Sequence, residues 1–81
     1  MNLKEKTFKV LKSVSGVEIN REEDHLLEDL ALDSLKMVLL LVELEEAFEI
    51  SLDESDMNPF DLITVGDVVR LAEKYCGDEY E

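Results

Sequence analysis

The chain has 81 residues, 46% hydrophobic and 36% charged, and its 21 acidic side chains against 8 basic ones give a net charge of −13. A chain this short buries only about 60–65% of its unfolded surface, which allows one core and a single domain over residues 1–81. The charge repels nucleic acid and anionic membrane faces and attracts proteins with basic patches, and the hydrophobic fraction is too high for a disordered acidic chain.

The single cysteine, Cys76, excludes an internal disulfide and a cysteine-based zinc site and fits a reducing compartment. The longest apolar run, Met37 to Val42, is six residues, against the ~20 a membrane helix needs, and the opening Met1-Asn2-Leu3-Lys4 lacks a signal peptide's apolar stretch. A cytoplasmic monomer without stable membrane insertion is expected.

Leu3, Thr7, Val10, Leu11 and Val14 recur at helical spacing, and Gly16 supplies a stop, so the pattern predicts a helix over residues 3–15. Residues 1–20 carry four lysines (Lys4, Lys6, Lys9, Lys12) against Glu5 and Glu18, a net +2 that leaves −15 of the −13 total for residues 21–81. Residues 16–32 show no sustained period and read as a long loop pinned by leucines, with Val17, Ile19, Leu26, Leu27, Leu30 and Leu32 as its apolar residues. A loop of that length in a small domain points to function near its end.

Asp33 is placed to cap a second helix that begins at Ser34 and runs through good helix formers to about Glu49. Pro59 limits the Asp53–Phe60 segment to a short helical turn. Thr64 and Asp67 have a capping-box layout for a last helix, whose face is Val65, Val68, Val69, Ala72 and Tyr75 and whose stop is Gly77. No stretch alternates with period two, so the fold class is all-α. From Glu43 to Val69 nine acidic residues occur without a lysine or arginine, which makes this stretch the first place to look for partner docking.

Asp53 to Asn58 is acidic, but the glycine of a calcium loop is absent and its twelfth residue, Thr64, is not an acid, so no metal site is assigned. His25 is the only histidine and no Gly-x-Ser-x-Gly elbow surrounds Ser34, which argues against a serine hydrolase and leaves no catalytic residue.

The run Glu28-Asp29-Leu30-Ala31-Leu32-Asp33-Ser34-Leu35 resembles the acyl carrier protein family, whose modification signature stands here as Asp33-Ser34-Leu35. The likeness extends to Leu44-Glu45-Glu46-Ala47-Phe48 and to Ile63-Thr64-Val65-Gly66-Asp67, almost the whole chain. It implies a four-helix bundle of acyl carrier type, with three main helices, one short helix and a long loop after the first. It also implies that Ser34 receives 4′-phosphopantetheine from coenzyme A through a phosphopantetheinyl transferase, and that cargo rides on the arm as a thioester. Asp33 would cap the helix and help orient the incoming cofactor, and Leu35 would bury as an anchor that turns the serine outward. Partners implied are acyl- or aminoacyl-ligases and synthases with basic patches. The protein would carry substrate without converting it.

The chain also departs from the family. Lys36 and Leu39 stand on the helix after Ser34 where fatty-acid members are acidic, while Glu43, Glu45, Glu46 and Glu49 keep the acidic character further on. Lys36, Leu39 and Val42 are therefore read as a strip facing a dedicated partner, with core packing of Leu39 and Val42 the alternative. Ala31 and Leu32 replace the glycine and small residue usual in the loop, which disfavours a peptidyl carrier, and the Met57–Leu62 segment is longer than in fatty-acid members. Leu44, Phe48, Ile50, Phe60, Ile63 and Val68 are candidates to line an acyl cavity, with plain core packing favoured for each. Three functions remain open: a carrier of acyl groups for fatty-acid, polyketide or specialised lipid synthesis; a carrier of an amino acid such as D-alanine loaded by an adenylating ligase; and an acidic docking module that is never modified.

Overall fold

The computed structural model describes residues 2–19, 21–58 and 61–76. Three α-helices form, α1 (Leu3–Ser15), α2 (Ser34–Phe48) and α3 (Val65–Cys76), with a 3-10 turn at Glu54–Asp56 between the last two. This is the all-α class expected, and the helical turn falls within the Asp53–Phe60 segment; a fourth full helix is not among the described elements. The stops expected at Pro59 and Gly77, and the cavity candidate Phe60, lie outside the described residues.

The start of each helix and the stop of α1 have local reasons. The Asn2 side chain accepts from the Glu5 amide at 2.8 Å, and Gly16 ends α1 in the left-handed region at φ 75°, its amide reaching the Lys12 carbonyl at 2.7 Å. Thr7 is fully buried, and its hydroxyl donates to the Leu3 carbonyl at 2.9 Å, so the one buried polar side chain of α1 is satisfied. At α3 the capping box forms as expected: the Thr64 amide donates to Asp67 Oδ2 at 3.0 Å and the Asp67 amide donates to Thr64 Oγ1 at 3.3 Å.

The core is aliphatic and drawn from all three helices and the first loop. Leu11, Leu40, Leu41, Leu44, Val65 and Val68 are sealed, and Leu26, Leu30 and Leu32 close it from the loop. Val17 and Leu27 do not join them and are exposed. On α3 the buried face holds Val65, Val68, Val69 and Ala72 as expected, adds Leu71 and Cys76, and leaves Tyr75 half-buried.

The first loop is not structureless. Its backbone runs antiparallel to the segment before α3: Leu26 donates to the Ile63 carbonyl at 2.9 Å, Val65 to the Asp24 carbonyl at 3.0 Å, and Gly66 to the Glu22 carbonyl at 2.8 Å. These bonds pair the Glu22, Asp24 and Leu26 backbone groups of a segment lacking helix or strand. They also hold the loop that delivers the chain to Ser34.

The linker before α3 is clasped separately. The Tyr75 hydroxyl donates to Asp56 Oδ2 and accepts from the Asp53 amide at 2.9 Å, and Lys74 Nζ lies 2.9 Å from Asp56 Oδ2. Hydrogen bonding from Tyr75, then from Lys74, holds the Asp56 carboxyl below its usual range.

Candidate functional site

Ser34 is exposed and is the first residue of α2. Asp33 sets that start: its Oδ1 accepts from the Lys36 amide at 2.9 Å, and its carbonyl accepts from Met37 at 2.9 Å. The amides of Ser34 and Leu35 precede Met37, the first amide to donate within the helix, so they and the positive end of the helix dipole favour an anion bonded to the serine.

Ser34 also borders a depression of about 390 Å³ between the first loop, α2 and the linker before α3. Leu26, Leu32, Met37 and Leu62 give it apolar walls, and His25 and Glu28 stand with Ser34 as its polar residues. Met37 and Leu62 were not singled out by the sequence, and His25 was given no role. The pairing of the loop with the Ile63–Gly66 segment brings them together, and no local sequence pattern encodes that pairing. The acidic turn before Leu62 is occupied internally, since Asp56 is engaged by Lys74 and Tyr75.

Leu35 is a correction. It is 78% exposed and anchors nothing in the core. Met37, Leu40, Leu41, Leu44 and Phe48 define the buried face of α2, and Leu35 lies roughly 200° around the helix from Met37. The serine is turned outward by the register of that buried face, fixed by Met37 three residues on, and not by Leu35.

Leu39 and Val42 are 48% and 39% exposed, so the core alternative does not hold for them. With Leu35 and Val38 they make an exposed aliphatic strip along the side of α2 away from the core, beside exposed Lys36. Glu46 and Glu49 are exposed further along, while Glu43 and Glu45 are half-buried. Glu45 Oε2 accepts from the Leu52 amide at 2.8 Å, which occupies that carboxylate in holding the chain after α2.

The expected acyl-lining residues divide. Leu44, Phe48 and Val68 are sealed in the core and Ile50 packs against it, whereas Ile63 is exposed and borders the depression at Ser34.

The family model for the phosphopantetheine attachment site matches residues 7–72. The chain belongs to this family of carrier proteins. It is 40% identical over 75 residues to the D-alanyl carrier protein of Lactococcus lactis subsp. lactis, covering 89% of this chain and 95% of the relative. It is 37% identical over 76 residues to an acyl carrier protein of Borreliella burgdorferi, covering 86% and 92%, and 35% identical over 83 residues to that of Thermotoga maritima, covering 95% and 100%. The carrier protein is therefore not an enzyme, and its cofactor is covalent 4′-phosphopantetheine. The residues present fit that group: an exposed hydroxyl at a helix start, the first-turn amides beside it, and an apolar depression next to them. Among the described residues no helix is long and apolar enough to cross a membrane.

Proposed function

We propose that Ser34 is the attachment residue and that this cytoplasmic protein shuttles acyl groups between the enzymes of fatty-acid, polyketide or specialised lipid synthesis. The observation that carries the reading is the placement of an exposed Ser34 at the first position of α2, capped by Asp33 and open to an apolar depression. The bound arm supplies a terminal thiol, on which cargo rides as a thioester.

The chain's own residues do the positioning. Asp33 fixes the helix start and stands beside the serine, where it orients the coenzyme A phosphate or its metal during transfer. A phosphopantetheinyl transferase reaches Ser34 without unfolding the chain, because the hydroxyl is already outside. Lys36, Leu39 and Val42, with Leu35 and Val38 alongside, form the partner-facing strip, and Glu43, Glu45, Glu46 and Glu49 add the acidic field that steers basic partners toward it.

A second reading is supported by the 40% identity to a D-alanyl carrier protein and by the sealing of Leu44, Phe48 and Val68: the cargo is a short aminoacyl group that stays outside the core. Two assays test these readings in order. Tandem mass spectrometry of the peptide holding Asp33-Ser34-Leu35, after treatment with transferase and coenzyme A, places the added group on Ser34; a group found elsewhere overturns the assignment. Loading of the modified protein by an acyl ligase or by an adenylating amino-acid ligase then decides the cargo. A protein that accepts no group from coenzyme A would be an unmodified docking module.

A further inference from the structure

We propose that His25 holds the attached arm against the protein, its ring donating Nε2–H to a phosphodiester oxygen of the arm while Nδ1 faces Glu28. This rests on Ser34 being the attachment residue. His25 and Ser34 border the same depression, and of the described residues that line it His25 alone can carry a positive charge. The other described residues of the rim are apolar apart from Ser34 and Glu28.

The ring is presented by a fixed backbone. The His25 amide donates to Asp29 Oδ2 at 2.7 Å, its carbonyl accepts from Asp29 and Leu30 at 2.9 and 3.2 Å, and the residue pairs with Thr64 across the short ladder. Nδ1 lies 3.3 Å from Glu28 Oε2, so Nε2 is the ring nitrogen turned away from that carboxylate. The side chain is half exposed, so an arm leaving Ser34 meets it without rearrangement of the core.

The charges around it are acidic. Asp24 and Asp29 share its loop, Asp33 heads α2, and Asp61 and Asp67 belong to the segment on the far side of the ladder. Asp24 is engaged by Arg21, and Asp67 by Arg70 and by the Ile63 and Thr64 amides. The start of α2 favours a phosphodiester on the Ser34 side, and His25 offers it a hydrogen bond from the loop side. The contact fixes the root of the arm and leaves its thiol end free to reach partner enzymes.

The test uses nuclear magnetic resonance on the apo and the phosphopantetheinylated protein at about pH 6. As the only histidine, His25 gives one unambiguous Cε1–Hε1 signal. The expected result is that this signal moves on modification, that it shows cross-relaxation to the geminal methyl protons of the arm, and that His25→Gln shifts the ³¹P resonance of the diester. A His25 signal identical in the two forms, or a ³¹P resonance unmoved by His25→Gln, overturns the proposal. Should His25→Gln not fold, the wild-type ring signal and its cross-relaxation decide alone. Failure of the underlying reading is seen separately, as absence of the added group from the Ser34 peptide, and the proposal then falls with it.

Discussion

The Leu26 amide donates to the Ile63 carbonyl at 2.9 Å, and this bond joins the loop before α2 to the segment before α3 at the mouth of the Ser34 depression. The Leu26 side chain is sealed in the core and lines the same depression. One residue thus supplies backbone to the ladder and a wall to the site. Leu26→Ala leaves the hydrogen bond possible and removes the wall, at a cost of about 2–5 kcal/mol for a buried leucine. Urea unfolding should show that loss, while Leu27→Ala, on the exposed neighbour, should stay within about 0.5 kcal/mol of wild type.

Asp33 has two separable jobs. As cap it accepts from Lys36 at 2.9 Å, and Asp33→Ala should destabilise the protein by about 0.5–2 kcal/mol. Asparagine caps about as well as aspartate, so Asp33→Asn should keep most of the stability. If the carboxylate orients the incoming cofactor or its metal, Asp33→Asn should still slow transfer from coenzyme A. Equal transfer rates for wild type and Asp33→Asn would restrict Asp33 to the cap.

Ala31 sits at φ 55°, a backbone region that side chains with a Cβ enter at a cost of roughly 1–2 kcal/mol. The sequence already marked Ala31 as standing where the family commonly has glycine, and the dihedral gives the reason for that preference. Ala31→Gly relieves the clash and adds freedom to the unfolded chain, two effects of opposite sign. The expected net is a gain of about 0.5–1 kcal/mol in urea unfolding, with no change in modification at Ser34. A loss of stability would contradict the strain argument.

The Asp56 clasp sets an acid limit. The Tyr75 hydroxyl and then Lys74 hold the Asp56 carboxyl below its usual range, and at Asp67 burial pushes upward but is outweighed by the Thr64 and Ile63 amides and by Arg70. Both carboxyls therefore have a folded pKa below the unfolded value of about 3.9. Their contribution is present above about pH 4 and is lost as the pH falls through that value toward the folded one. Tyr75→Phe removes the largest cause at Asp56, so it should weaken the protein at neutral pH, and its gap to wild type should narrow in acid. Urea midpoints for both proteins at about pH 6 and pH 3.5 check this; a constant gap would contradict it.

What the sequence revealed was local. The spans of α1, α2 and α3 follow from apolar spacing bounded by Gly16, by Asp33, and by the Thr64 and Asp67 box, all signals within a few residues of the helix ends. The candidate attachment serine was legible because Asp33-Ser34-Leu35 stands in its family context. The fate of Leu35 was not, since an apolar residue beside a buried face looks the same in sequence whether it points in or out. The depression and the place of His25 were also hidden, because the bonds from Glu22, Asp24 and Leu26 to the start of α3 use backbone atoms and impose no side-chain period. The exposure of Leu39 and Val42 needed the register of Met37, Leu40 and Leu41 to be fixed first.

The central claim is that Ser34 carries the arm. Intact mass of the wild type and of Ser34→Ala, after incubation with coenzyme A, magnesium and a broad-specificity phosphopantetheinyl transferase, tests it most directly. A gain of one phosphopantetheine on the wild type and none on Ser34→Ala is the predicted result. The same gain on both proteins, or none on a folded wild type, would contradict it.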